Sequence, residues 1–287
     1  MKEIVIISGK GGTGKTSLTA AFCSLAKNKV LCDADVDAAD LHLIMDPAVV
    51  HTAAFQAGHT ARIINDRCTE CGLCRNLCRW DCINSDYHVD PIGCEGCGVC
   101  VHFCPENAIE FPLNTCGEWF VSNTRFGPMV HARLGIAEEN SGRLVTLVRR
   151  ESKQLAEKKH LDLILTDGPP GVGCPVIAAI GGASAAVIVT EPTLSGIHDM
   201  ERVVRLSAHF KVPAMVCINK YDLNLELTRE IEKFADENDL ACLGRIPFDS
   251  VFTEAMIRAQ TAIEFSNGSK VAREVRAIWQ KLSRMME

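Results

Sequence analysis

The sequence predicts an α/β protein in which a doubly wound, mostly parallel sheet carries a small inserted α+β module. Three observations lead there. Apolar runs of strand length recur with helical stretches between them, a glycine-rich loop stands where the first run meets the first helix, and one segment holds nine of the 15 cysteines. At 287 residues the chain has room for one large domain or two ordinary ones, with ample core. A composition of 47% hydrophobic and 23% charged residues belongs to a folded globular protein, not a disordered one. The 30 Lys and Arg against 36 Asp and Glu leave a net charge of −6, whereas a general nucleic-acid binder needs a basic footprint.

The predicted strands are Ile4 to Ile7, Val30 to Cys32, Leu144 to Val148, Leu161 to Leu165, Ala185 to Val189, Ala214 to Ile218 and Leu240 to Ile246. These runs are mostly continuous, not alternating, which marks strands buried on both faces and so a parallel sheet covered by helices. Gly168 to Thr190 is uncharged and long enough to span a bilayer, but Pro169, Pro170, Pro175 and several glycines rule out a single helix. It reads as loop, helix and buried strand. Met1-Lys2-Glu3 runs straight into the first strand without the pattern of a secretory leader, so the cysteines are expected in a reducing, cytoplasmic setting.

The α/β domain is expected in two parts, residues 1–61 and 114–287, with residues 62–113 as the insert. The insert repeats with an offset of 26 residues: Cys68, Cys71, Cys74, Cys78 and Ile83 recur as Cys94, Cys97, Cys100, Cys104 and Ile109, with Gly72 and Gly98 in register. Arg79 and Cys82 stand where the second copy has Pro105 and Ala108. Each copy is C-x2-C-x2-C-x3-C, a tight loop that presents three thiolates to one face while the fourth cysteine points away. The insert thereby resembles a bacterial two-cluster 4Fe-4S ferredoxin at all eight ligand positions. That resemblance implies one cluster on Cys68, Cys71, Cys74 and Cys104 and another on Cys94, Cys97, Cys100 and Cys78. A pair of zinc sites, which also use C-x2-C, is the alternative. Cys82 and Cys116 are surplus; Cys82, at a packing position of the repeat, reads as a small buried hydrophobe, as do Cys23, Cys32, Cys217 and Cys242 in core elements.

After the first strand, Gly9 to Thr16 matches G-x4-G-K-[ST] at a strand-to-helix junction. Backbone N–H groups of Gly11, Gly12, Thr13, Gly14 and Ser17 can close around phosphate oxygens there, with Lys15 reaching the terminal phosphates and Thr16 holding magnesium. With Lys10 the loop reads K-G-G-T-G-K-T, which resembles the deviant Walker loop of the MinD, ParA, Mrp and nitrogenase iron protein class of P-loop ATPases. The resemblance implies that Lys10 acts across a homodimer with nucleotide sandwiched between two copies. It also implies that Asp35 in Asp33-Ala34-Asp35 positions the attacking water, with Asp33 in the magnesium shell. Asp37 and Asp40 read as helix-entry caps. Asp167-Gly168-Pro169-Pro170-Gly171 resembles the second switch of the same class, making Asp167 a magnesium-shell residue and Gly168 a γ-phosphate sensor. Cys174, seven residues on, has the spacing of a cluster-ligating cysteine in the nitrogenase iron protein, but with eight better ligands in the insert it is not assigned that role. Asn219-Lys220-Tyr221-Asp222 spells the N-K-x-D guanine motif, whereas the class resemblance gives Asn219, Pro247 and Asp249 to adenine.

Gly117 to Leu147, with Glu118, Arg125, His131 and Arg133, matches no ligand spacing and reads as solvated loop. Lys270 to Met286 reads as an amphipathic helix with a Val271, Val275, Ile278, Leu282 and Met285 stripe, expected to dock on the sheet and not on a membrane. The resemblance covers the whole chain and implies an ATPase using ATP, Mg2+ and two 4Fe-4S clusters. Its nucleotide-dependent dimer would drive electron transfer or cluster delivery to a protein redox or cluster-acceptor partner, without nucleic acid. A metallocentre assembly factor and a MinD-like positioning ATPase with structural or redox-sensing clusters are the rival readings.

Overall fold

The computed structural model describes residues 1–135 and 141–286. The chain divides into two compact units. The first comprises Met1–Ala53, Trp119–Arg133 and Ser141–Glu287, and the second Ala54–Glu118 with the stretch beginning at Leu134.

In chain order the strands are β1 (Lys2–Ser8), β2 (Lys29–Asp33), β3 (Ala48–His59), β4 (Arg62–Ile63), β5 (Ile109–Glu110), β6 (Leu113–Thr124), β7 (Gly127–Leu134), β8 (Leu163–Pro170), β9 (Ala185–Thr190), β10 (Ala214–Asn219) and β11 (Ala241–Ile246). The helices are α1 (Lys15–Leu25), α2 (Leu41–Met45), α3 (Leu73–Leu77), α4 (Val99–His102), α5 (Ser141–Lys159), α6 (Cys174–Ile180), α7 (Leu194–His209), α8 (Leu225–Glu237), α9 (Val251–Ile257), α10 (Ala262–Phe265) and α11 (Lys270–Met285). A nine-stranded sheet runs in the order β11-β10-β9-β1-β8-β2-β7-β6-β3. All pairs from β11 through to β7 are parallel. The chain leaves β1 through α1 for β2 on one side, while β8 leads to β9 on the other. The C-terminal ends of β1 and β9 therefore flank the switch point where such sheets bind ligands.

The core forms where the continuous apolar strands meet helix stripes. Ile4, Ile6, Leu31, Leu165 and Val187 of the sheet are fully or almost fully buried against Leu18 and Phe22 of α1. The α11 stripe of Val271, Val275, Ile278 and Leu282 joins this core, and Trp279 lies 5.3 Å from Phe22. Met285 departs from the expected stripe, being 49% exposed beyond the last buried turn. Among the described residues no helix is long and apolar enough to cross a membrane. The uncharged run from Gly168 resolves into the end of β8, α6 and β9.

Leu144 to Val148 is not a strand. Leu144, Val145, Val148, Ser152 and Ala156 follow the helical period and form the buried stripe of α5. Nor is Gly117 to Leu147 a solvated loop, for it supplies much of β6, β7 and the start of α5. His131 is 8% exposed, pairs through Nε2 with Ser122 Oγ at 2.9 Å, and stacks on Phe120. Burial, helped by neighbouring His42, lowers its pKa to about 4, so it is a neutral packing residue. Arg125, at the β6–β7 turn, donates to Glu264 and to the carbonyls of Ile44, Met45 and Ala259. It thereby satisfies the last carbonyls of α2 and ties that helix to the segment after α9. Arg125→Ala is expected to cost about 2 kcal/mol, because it strips charge-assisted hydrogen bonds from several acceptors at once; the denaturant midpoint of the full chain measures it.

The second unit repeats itself in backbone as well as sequence. Left-handed residues recur at the 26-residue offset, Glu70 with Gly96, Gly72 with Gly98 and Asp81 with Asn107. Helices α3 and α4 begin at equivalent positions. The copies interlock crosswise: Ile64 N–H donates to Ala108 O at 2.7 Å, and its counterpart Asp90 N–H donates to Cys82 O at 2.7 Å.

Candidate functional site

The loop after β1 is shaped by its glycines. Gly14 caps α1 with φ of 85°, a left-handed conformation that a side chain would strain. The open N-terminus of α1 then faces a cavity lined by Gly11 through Ser17, Asp35, Asn219, Pro247 and Asp249. All of these except Asp35 were expected to hold nucleotide, with Asp35 to position its water. Phe248, Phe252 and Met256 supply apolar wall that the sequence did not flag. Asp40 also lines this cavity; it stands at the N-cap of α2 without a side-chain cap bond, so it is not the expected helix-entry cap.

Beneath the loop lies a charge cluster. Lys15, 5% exposed, donates from Nζ to Asp35 Oδ2 at 3.0 Å and to Asp167 Oδ1 at 3.1 Å. Thr19, which carries no motif, donates to the same Asp167 oxygen at 2.9 Å. Burial works against the Lys15 ammonium, but Asp167 and then Asp35 outweigh it and raise its pKa. Asp33 is pushed well above the usual carboxylate range by burial and next by the Asp167 charge. Asp35 is raised too, by burial that Lys15 only partly offsets. Three carboxylates thus share one ammonium. Asp33 Oδ2 and Asp167 Oδ2 are buried without a hydrogen-bond partner, as is Thr13 Oγ1. Orphaned carboxylate oxygens beside a phosphate loop fit a hydrated divalent cation, so Asp33, Asp167 and Thr16 suit the Mg2+ that ATP brings. Once bound, the cation would neutralise phosphate charge.

Lys10 and Gly168 do not line the cavity. Lys10 Nζ is held by Glu191 Oε1 at 2.6 Å, near Ser195 Oγ at 3.2 Å, at the end of neighbouring β9. Glu191 also binds Lys220 Nζ at 3.0 Å. Burial would raise the Glu191 pKa, but the two lysines hold it below the usual value. A Cβ at Gly168 would come within 2.6 Å of the Ile7 side chain, so glycine there lets β8 lie close against β1. Neither Glu191 nor Thr19 was legible in advance, since each acts through contacts distant in sequence.

The N-K-x-D residues brace the site. Asn219 Nδ2 donates to Thr13 O at 2.7 Å and Lys220 Nζ to Gly12 O at 2.9 Å. Asp222, the residue a guanine reader would use, accepts the Phe248 N–H at 2.7 Å. It thereby anchors the loop that carries the cavity's apolar wall.

In the second unit the eight repeat cysteines fall around two cavities. One is lined by Cys68, Cys71, Cys74 and Cys104. The other is lined by Cys78, Cys94, Cys97 and Cys100. These are the two sets in which the fourth cysteine is exchanged between copies. The thiols wall the cavities and do not converge on a point. Among the described residues, no group of three or more His, Cys, Asp or Glu side chains is arranged to hold a metal ion. Cys82 is buried, as expected, but also reaches the second cavity. Cys174 is exposed at the start of α6.

A parallel sheet with a glycine loop at the switch point, a buried loop lysine, and carboxylates at the end of β2 and within β8 defines a P-loop nucleoside triphosphate hydrolase. The chain belongs to the CobQ/CobB/MinD/ParA nucleotide binding domain family, CbiA, whose profile matches residues 4–262. It is an ATPase of the MinD/ParA kind. An uncharacterized protein of Methanocaldococcus jannaschii is 30% identical over 289 residues, covering 98% of this chain and 96% of that one. The septum site-determining protein MinD of Pyrococcus horikoshii, solved with Mg-ADP, shares the fold with a TM-score of 0.62 at 19% identity, covering 99% of this chain and 97% of that one. A stretch of 45 residues is 38% identical to pyruvate synthase subunit PorD of Methanothermobacter marburgensis, 16% of this chain and 56% of that protein.

Proposed function

We propose that this ATPase is a nucleotide-dependent iron-sulfur protein in which MgATP binding and homodimerisation control electron transfer or cluster delivery to a protein partner. The observation that carries the reading is the pair of cavities, each walled by one complete four-cysteine set, in a chain that also has a full phosphate-loop site. A four-iron cube is held by four thiolates set around it, and one complete set stands on the wall of each cavity. When bound, such clusters supply one-electron chemistry that no side chain offers. The free thiols suit a reducing cytoplasm.

In this reading Lys15 leaves Asp35 and Asp167 for the terminal phosphates, and Asp35, so freed, orients the attacking water. Asp33, Asp167 and Thr16 hold the cation's shell, Gly168 senses the γ-phosphate, and Asn219, Pro247 and Asp249 hold adenine. Lys10 does not line its own chain's nucleotide cavity, which suits a reach into a second copy.

The test is the reduction potential of anaerobically prepared full chain, with and without a non-hydrolysable MgATP analogue. A shift of about 59 mV, a tenfold coupling for one electron, is the expected outcome. Unmoved potentials together with clusters that do not transfer to an apo-ferredoxin would favour a second reading, a MinD-like positioning ATPase with structural clusters. That reading draws on the whole-chain likeness to MinD.

A further inference from the structure

The second cysteine cavity holds a fifth thiol that the first lacks. Cys82 Sγ stands 3.4 Å from Cys78 Sγ, its residue is 8% exposed, and it lines the cavity with Cys78, Cys94, Cys97 and Cys100. Its counterpart at the 26-residue offset is Ala108, which lines the first cavity and brings no sulfur. The backbones match, because Cys82 O and Ala108 O accept equivalent crosswise hydrogen bonds, both 2.7 Å. At this position the two copies differ in side chain and not in backbone hydrogen bonding.

Room for that side chain is provided on the facing segment. A Cβ at Gly93 would come within 3.2 Å of Cys82 Cβ, so glycine there leaves the thiol its place. At the 26-residue offset Arg67 is the counterpart of Gly93 and Ala108 the counterpart of Cys82. Cys82 of the first copy and Gly93 of the second lie side by side, and neither feature recurs in the equivalent pair.

We propose that Cys82 is a reserve ligand for the cluster of the second cavity, able to take the iron otherwise held by Cys78, whereas Cys104 in the first cavity has no such substitute. The proposal rests on the two-cluster reading. The exchange is balanced without any oxidant: Cys82 gives its S–H proton to solvent and forms an iron–sulfur bond, the Cys78 bond breaks, and that thiolate takes up a proton. The two sulfurs are nearly in contact, so they stand to reach the same place in the cavity wall. The second cluster could change a ligand without coming apart, as a deliverable cluster must.

The experiment counts iron and acid-labile sulfide in the anaerobically reconstituted full chain and records the electron paramagnetic resonance of the reduced protein. Wild type is expected to carry about eight irons, four for each cluster. Cys78→Ala and Cys82→Ala should each keep about eight, the former with an altered resonance from one cluster, while Cys104→Ala and the Cys78→Ala/Cys82→Ala double variant fall to about four. Unchanged MgATP binding across the set ties the counts to ligation and not to misfolding. The reserve role is overturned if wild type holds both clusters but Cys78→Ala loses one, or if the double variant keeps both. Wild type without sulfide-bearing iron would instead overturn the two-cluster reading beneath it.

Discussion

Lys15→Ala is expected to cut ATP turnover by about 100- to 1,000-fold, the usual cost of removing a preorganised donor to transition-state charge. It should also destabilise the nucleotide-free protein by about 3 kcal/mol, because Asp35 and Asp167 would then sit buried beside Asp33 with no counter-charge. The two effects separate with pH. Asp33 and Asp35 already have raised pKa values in the folded state, so folding favours their protonation and their burden on stability lightens as pH falls toward the ordinary carboxylate value. Without Lys15 that slope steepens. The stability gap between variant and wild type should therefore narrow in acid, which denaturant melts at a series of pH values would read out. A gap that stays constant would mean that Lys15 does not neutralise these carboxylates.

Lys10→Ala is expected to abolish nucleotide-driven dimerisation and to lower turnover by about 1,000-fold, as for a charged group supplied in trans to phosphoryl transfer. Nucleotide binding by the single chain should change little, since Lys10 lies on Glu191 and not in the cavity. Mixing makes the test specific. In a heterodimer of Lys10→Ala and Lys15→Ala chains, one composite site has an intact Lys15 from the first chain and an intact Lys10 from the second. Turnover should return in the mixture although each variant alone is nearly inactive; a mixture as inactive as its parts would remove the trans role.

What the sequence reveals here depends on how local each feature is. The phosphate loop is legible because spacing alone sets its geometry, with Gly14 starting α1 and Lys15 falling on its first turn. The β8 carboxylate is legible because it follows directly on a buried apolar run, although the strand itself continues to Pro170. Thr19 and Glu191 are not, because their partners lie 148 and 181 residues away. Leu144 and Val145 mislead because a helix stripe can place two apolar residues side by side, which over five residues resembles a strand. Strand β3 escapes notice for the opposite reason. Val49 and Val50 are 51% and 60% exposed, and only Phe55 and Ala57 in its second half are buried, too short a stretch to set a period along the strand. The cysteine sets follow from the repeat, but the nearness of Cys82 to Cys78 needs the fold.

Glu191 is shared by two cations, and that arrangement sets how easily Lys10 can travel. A buried carboxylate with a single ammonium partner holds it fast, since departure would leave a bare charge in poor solvent. Glu191 keeps Lys220, itself anchored on Gly12 O, when Lys10 lets go. The loop lysine is thus docked without being trapped: its release gives up the Glu191 contact and hydroxyl partners on Thr193 and Ser195, while the carboxylate stays neutralised.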